Sequence, residues 1–336
     1  MSNFVILIAS LGVILAGAEL FVNGIEWLGK KMNLSESAVG SVLAAVGTAL
    51  PETLIPIIAI VFTSGTQGHD IGIGAILGAP LMLSTLAMFV TGVGVLMFKR
   101  QRGSGEKVLA DYHTMKKDLL FFIAVYLVAV LTGLIPQEYR LVKLGVAVLL
   151  IASYVFYVKI LFSQEREHVE NEQMPRFYFA GKASEPRLGM IILQIMTSLA
   201  FIIIGAKLFV DAVSNLAVLY GIPAFILAII ITPVATELPE KFNSVIWISR
   251  GKDTLALGNI TGAMVFQSSL IPAIGILLTD WELTGSALMS AALALISSAA
   301  IYLELTRKKH ITVRTLLLGG FIYVLFLGLV IQGVIR

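Results

Sequence analysis

Apolar stretches long enough to cross a bilayer follow one another along almost the whole of this 336-residue chain, with only short polar breaks between them. A bilayer-spanning helix takes about 20 apolar residues, and at that length ten spans are read, near 4–28, 36–63, 71–98, 119–135, 141–162, 188–215, 222–249, 254–278, 283–304 and 312–335. Hydrocarbon offers no water to an unpaired backbone N–H or C=O, so such segments must be helices that satisfy their own backbone. The composition agrees: 57% of residues are hydrophobic and 13% charged, against roughly 25% charged in soluble domains. The expected fold class is therefore all-α, a polytopic membrane protein of ten transmembrane helices. The fourth span is the shortest. The first has no basic residue ahead of it, which favours a retained helix over a cleaved signal peptide despite Ala16-Gly17-Ala18.

Basic residues fall almost entirely on one side of that arrangement. The breaks after spans 1, 3, 5, 7 and 9, with their flanks, hold Lys30, Lys31, the groups from Lys99 to Lys117 and from Lys159 to Arg187, Arg250, Lys252 and the run from Arg307 to Arg314. The opposite side holds Arg140, Lys143 and Arg336. The positive-inside rule then places both termini outside, as expected for a prokaryotic plasma membrane. The basic rim would attract anionic lipid, and no nucleic-acid motif accompanies it. No motif fixes an oligomeric state. With no cysteine in the chain, any metal must be held through oxygen, because His69, His113, His168 and His310 all lie in or beside expected loops.

A duplication organises the spans. Gly17-Ala18-Glu19-Leu20-Phe21-Val22 matches Gly205-Ala206-Lys207-Leu208-Phe209-Val210, and Gly47-Thr48-Ala49-Leu50-Pro51-Glu52 matches Ala235-Thr236-Glu237-Leu238-Pro239-Glu240, both 188 residues apart. Further on, Gly74-Ala75-Ile76-Leu77-Gly78 pairs with Gly258-Asn259-Ile260-Thr261-Gly262 at an offset of 184, so the break near Gly65 to His69 is longer in the first copy. Five spans per copy is an odd number, which turns the second copy over in the membrane and gives two inverted repeats. The expected divisions are 1–162 and 188–336, joined by a cytoplasmic linker over 163–187.

The repeated hexapeptide puts a carboxylate, a hydroxyl and a proline at membrane depth twice. Pro51 and Pro239 each lack an N–H and crowd the carbonyl four residues earlier, at Gly47 and Ala235, so both helices are expected to bend there. Carbonyls freed at that depth need a cavity or a partner, and a bound cation is one. Thr48 and Glu52, like Thr236 and Glu240, share a helix face. If the inverted halves meet there, two carboxylates, two hydroxyls and several carbonyls form a hard oxygen shell suited to Ca²⁺. A lone Thr-x-x-x-Glu would suit a packing kink equally well; its duplication in register favours a site.

Neighbouring polar groups stay open to two readings. Glu237 lies one turn before Glu240 and either adds a third carboxylate, favouring a carried proton, or pairs structurally with Lys241. Glu19 has no local partner in sequence and is a weak candidate proton site, whereas its counterpart Lys207 can pair with Asp211. A channel would reuse the acids but not the inverted broken helices. An intramembrane hydrolase would need a nucleophile and base that the spans do not contain, so the chain is not read as an enzyme.

The Gly-Thr-x-x-Pro-Glu cores, the preceding Gly-Ala-Glu-Leu-Phe-Val segment and the following Gly-Asn-x-x-Gly helix resemble the α-repeats of the cation/Ca²⁺ exchanger superfamily, nearest to prokaryotic sodium/calcium exchangers, over essentially the whole chain. The resemblance implies ten helices, alternating access, exchange of Ca²⁺ for Na⁺ without any cofactor, and cation binding by Thr48, Glu52, Thr236 and Glu240. This chain departs from that pattern. Ala49 and Glu237 stand where the family has serine, and Gly78-Ala79-Pro80 with Leu83 and Gly262-Ala263-Met264 with Gln267 stand where it has Gly-Ser-Asn and a further Asn or Asp. Gln267 can still offer a carbonyl oxygen to an ion or serve as an interhelical amide. Oxygens for flanking Na⁺ sites are thus reduced, and H⁺ is the alternative counter-ion.

Overall fold

The computed structural model describes residues 2–32, 49–63, 66–164, 176–179 and 186–335, without the side chains of residues 2, 161–164, 238–240, 242 and 243. Within these bounds the apolar runs form helices α1 (Ser2–Lys31), α2 (Leu50–Phe62), α3 (Thr66–Phe98), α4 (Tyr112–Thr132), α5 (Arg140–Gln164), α6 (Leu188–Tyr220), α7 (Ala224–Ser249), α8 (Asp253–Leu278), α9 (Gly285–Lys308) and α10 (Val313–Ile331). Seven of them are long and apolar enough to cross a membrane, and α2 with the first part of α7 forms shorter apolar helices. The first part of the second expected span, 36–48, lies outside the described residues.

The helix limits correct the sequence reading in one place and add detail in two more. α4 starts at Tyr112 rather than near 119, because Asp111 caps it by accepting the N–H of Thr114 at 2.8 Å. This brings Asp118 inside the helix. α2 begins at Leu50 with Ala49 as its N-cap, so Pro51 sits in a first turn where its missing N–H costs nothing; Gly47, where the bend is expected, lies outside the described residues. α7, by contrast, runs on through Pro233 and Pro239 as one helix. The break in regularity falls in α3, where residues Leu83–Ala87 form a π turn after Pro80. Proline removes one rung of the helical ladder, and Ser84 Oγ meets the Pro80 carbonyl at 2.7 Å.

The two repeats pack as inverted halves. α1 lies along α6, α3 packs against α9 and α10, and α8 packs against α4 and α5. At the α1–α6 contact the relation is reciprocal. A Cβ on Gly17 would meet Ile202 Cγ1 at 2.9 Å and the Ser198 carbonyl at 3.1 Å; a Cβ on Gly205 would meet Ile14 Cγ1 at 2.8 Å and the Ser10 carbonyl at 3.1 Å. Each residue in one set is the repeat counterpart of a residue in the other, so one surface packs on its own copy. Small residues allow such close approach where lipid supplies no hydrophobic drive for helix association.

Polar staples sit at both ends of the bundle. On the basic end, Arg102 in the loop after α3 pairs with Asp253 at the start of α8, at 2.7 and 2.8 Å, and its Nη1 donates to the Ile248 carbonyl at 2.9 Å. Strands β1 (Lys107–Val108) and β2 (Ile311–Thr312) pair antiparallel beside it. On the opposite end, Lys143 donates to the Asp280 carbonyl at 2.7 Å and Arg140 to the Thr279 carbonyl at 2.7 Å. The expected linker is not a plain tether. Its residues 176–179 dock on α1 and α6: Phe177 is buried against Trp27 and Ile191, and Tyr178 Oη donates to Glu19 Oε1 at 2.6 Å.

Candidate functional site: a polar cavity between the repeat cores

Between α2, α5, α7 and α8 lies a cavity of about 240 Å³, lined by Ala49, Glu52, Tyr154, Glu237, Lys241, Gly258, Asn259, Gly262, Ala263, Phe266 and Gln267. Four elements from both repeats contribute: Glu52 and Glu237 come from the repeated hexapeptides, Asn259 from the second repeated block and Gln267 from the turns of α8 beyond it. Glu52 reaches the cavity from the first turn of α2 and is 7% exposed. The positive end of that helix favours its carboxylate.

The second repeat supplies a connected polar network. Gln267 Nε2 on α8 donates to Glu237 Oε1 on α7 at 3.1 Å. One turn along α7, Lys241 Nζ donates to Asn259 Oδ1 on α8 at 3.0 Å and stands 3.9 Å from Glu237 Oε2, an ion pair at contact range. Glu237, Lys241 and Gln267 are each at most 2% exposed. Gln267 Oε1 is buried without a hydrogen-bond partner among the described residues. A buried carbonyl oxygen in that condition suits a cation as its missing neighbour. Thr236, 2% exposed, spends its hydroxyl hydrogen on the Thr232 carbonyl at 3.1 Å, which leaves its oxygen lone pairs for another donor or an ion.

Thus Glu52, Glu237 and Gln267 come together at one cavity, with Thr236 on the α7 turn beside Glu237. Thr48 lies outside the described residues, as does the side chain of Glu240, although its backbone continues α7 one turn past Thr236. Among the described residues no three His, Asp or Glu side chains converge as a metal cluster. Of the histidines, His69 and His113 lie in first turns and His310 beside β2, while His168 is outside the described residues.

One sequence expectation is extended and another corrected. Glu19 does have a partner, Tyr178, supplied by the linker and invisible to local spacing. Lys207 and Asp211 are both exposed on α6, and no ion pair joins them among the described residues. Sequence reasoning also missed Tyr154, which stacks edge-on to Phe266 at 5.6 Å to close one wall of the cavity. Asp118 was missed as well: it accepts hydrogen bonds from Tyr157 on α5 and Thr261 on α8, 3% exposed, stapling three helices behind that wall. The run Lys116-Lys117-Asp118 reads as a basic loop flank until the true start of α4 is known.

Comparison with known proteins agrees with this architecture. The family described as sodium/calcium exchanger protein matches residues 2–163 and 190–332. The putative antiporter CaxA of Alkalimonas amylolytica is 23% identical over 332 residues, covering 96% of this chain and 98% of that protein. The crystal structure of the H⁺/Ca²⁺ exchanger CAX superposes with a TM-score of 0.74 at 18% identity, covering 98% of this chain and 82% of that one. A structure of the sodium-calcium exchanger NCX_Mj superposes with a TM-score of 0.56 at 19% identity, over 97% of each chain. The likenesses in structure establish the shared fold of two inverted five-helix repeats. With nearly all of both repeats matched, the chain belongs to the sodium/calcium exchanger protein family, as an integral membrane cation antiporter and not an enzyme.

Proposed function

We propose that this protein exchanges Ca²⁺ for Na⁺ across a prokaryotic plasma membrane by alternating access, with Ca²⁺ carried at the cavity between α2, α7 and α8. The observation that carries this reading is the convergence of Glu52 from one repeat with Glu237 and Gln267 from the other, all buried, at one cavity. Glu52, Thr236 and Gln267 supply oxygens to the ion, joined in this reading by Thr48 and Glu240, with Glu237 beside them. The repeats divide as 1–162 and 188–336 about the linker 163–187, which the two blocks matched by the family support. Both termini lie outside, on the strength of the basic loops at the opposite end.

Exchange needs only competition for the same carboxylates. An empty, charged cavity is too costly to carry through the closed state, so reorientation follows loading. H⁺ as the counter-ion has its own support: at the first-copy positions where Na⁺ ligands would be expected, Ala79 and Leu83 are apolar and packed away, 3% and 0% exposed. The test is Ca²⁺ release from loaded proteoliposomes under a Na⁺ gradient or a pH gradient imposed separately. Flux driven by Na⁺ supports the first reading, flux driven only by pH supports the second, and indifference to both overturns exchange.

A further inference from the structure

We propose that Lys241 is a resident cation of the transport cavity, and that by neutralising Glu237 it fixes the exchange at two monovalent cations per Ca²⁺, with no net charge moved. This inference rests on the Ca²⁺-exchange reading above and specifies its stoichiometry.

The geometry is that of a held charge. Lys241 Nζ is 3.0 Å from Asn259 Oδ1 and 3.9 Å from Glu237 Oε2, on a side chain 2% exposed, and Lys241, Asn259 and Glu237 all line the same cavity as Glu52. A lysine beside a cation site would ordinarily repel the cargo. Here it accompanies an acid that the other repeat lacks: Glu237 and Lys241 correspond to Ala49 and Thr53, and their partners Gln267 and Asn259 to Leu83 and Ala75. Counted along the sequence, the added acid and the added base cancel, and each repeat core carries one net negative charge: Glu52 in the first, and Glu237 and Glu240 offset by Lys241 in the second. The remaining double charge matches one Ca²⁺ or two monovalent cations. Without Lys241 the same cavity would require a further monovalent cation to become neutral before it could pass through the closed state.

The experiment uses the full-length protein in liposomes, with a fixed Na⁺ or H⁺ gradient and a membrane potential clamped by K⁺ and valinomycin. The readout is the Ca²⁺ concentration ratio at steady state. For the native protein the ratio is expected to be independent of potential. For Lys241→Met one uncompensated charge per cycle shifts it by roughly 50-fold per 100 mV, and Lys241→Met combined with Glu237→Gln returns it to independence. A residue that merely braced the helices would change rates and not this ratio. A native ratio that moves with potential overturns the inference while leaving Ca²⁺ exchange intact, as does Lys241→Met retaining potential-independent exchange. If neither gradient moves Ca²⁺ in the native protein, the exchange reading itself fails. Should the single variant prove unstable, the native protein and the double variant still decide, since both are required to be independent of potential.

Discussion

Where α7 and α8 present Glu237, Lys241, Asn259 and Gln267, the equivalent positions of α2 and α3 hold Ala49, Thr53, Ala75 and Leu83. The outer pair α1 and α6 behaves in the opposite way, with Gly17, Ile14 and Ser10 facing Ile202, Gly205 and Ser198 in one reciprocal contact. The difference separates two demands on a duplicated chain. A contact that packs a surface on its own copy must keep both copies alike, since any change is felt twice. A cavity shared between the copies needs only the right total of oxygens and charges, so its polar groups can accumulate in one copy while the other becomes apolar.

The sharpest way to break this view is to remove the carboxylate that both copies retain. Glu52→Gln and Glu240→Gln should each lower Ca²⁺ transport by on the order of 100-fold or more, the cost of truncating one member of a buried charged set. Ca²⁺ binding titrations on both variants check it, and unchanged binding in both removes the proposed site. Next in size, Lys241→Met takes the ammonium away from the buried Glu237 and should destabilise the fold by about 3–5 kcal/mol, largely rescued by adding Glu237→Gln. Thermal unfolding in detergent reads both. Copying the first repeat into the second by Gln267→Leu should weaken Ca²⁺ binding about tenfold, as one lost polar contact to a charged group does. The reverse change, Leu83→Gln, should cost about 1–3 kcal/mol of stability without any gain in binding, because Leu83 is fully buried in the hydrophobic core. Smallest and most diagnostic of symmetry, Gly17→Ala and Gly205→Ala should each cost about 1–3 kcal/mol from overpacking. Clearly unequal effects on melting temperature would show that the α1–α6 contact is not reciprocal in the membrane.

Much of this is legible in the amino-acid sequence. The duplication at 188 residues led to the inverted halves, and the hexapeptide led to the cavity at Glu52. The local signals failed where the informative partner lay far along the chain. Glu19 looked solitary because Tyr178 reaches it from the linker. Asp118 looked like part of a loop because the cap at Asp111 outweighs the charges that follow it. The roles of Lys241 and Glu237 stayed open because pairing at i+4 is equally consistent with a surface brace; burial and the contact to Asn259 give the pair a place in the cavity.

The sequence by itself determined the solvent, the helices and their inverted duplication, since in hydrocarbon each segment must close its own backbone hydrogen bonds and that is a local property of apolar runs. It also named the acids that repeat. Only the tertiary structure decided which oxygens share a cavity, that Tyr154 and Phe266 wall it, and that Gln267, Glu237, Lys241 and Asn259 of the second copy join in one polar network. Those outcomes depend on how each helix is rotated against its neighbours. Rotation is set by contacts between residues tens to hundreds of positions apart, such as Gly17 on Ile202, about which no single stretch of the chain carries information.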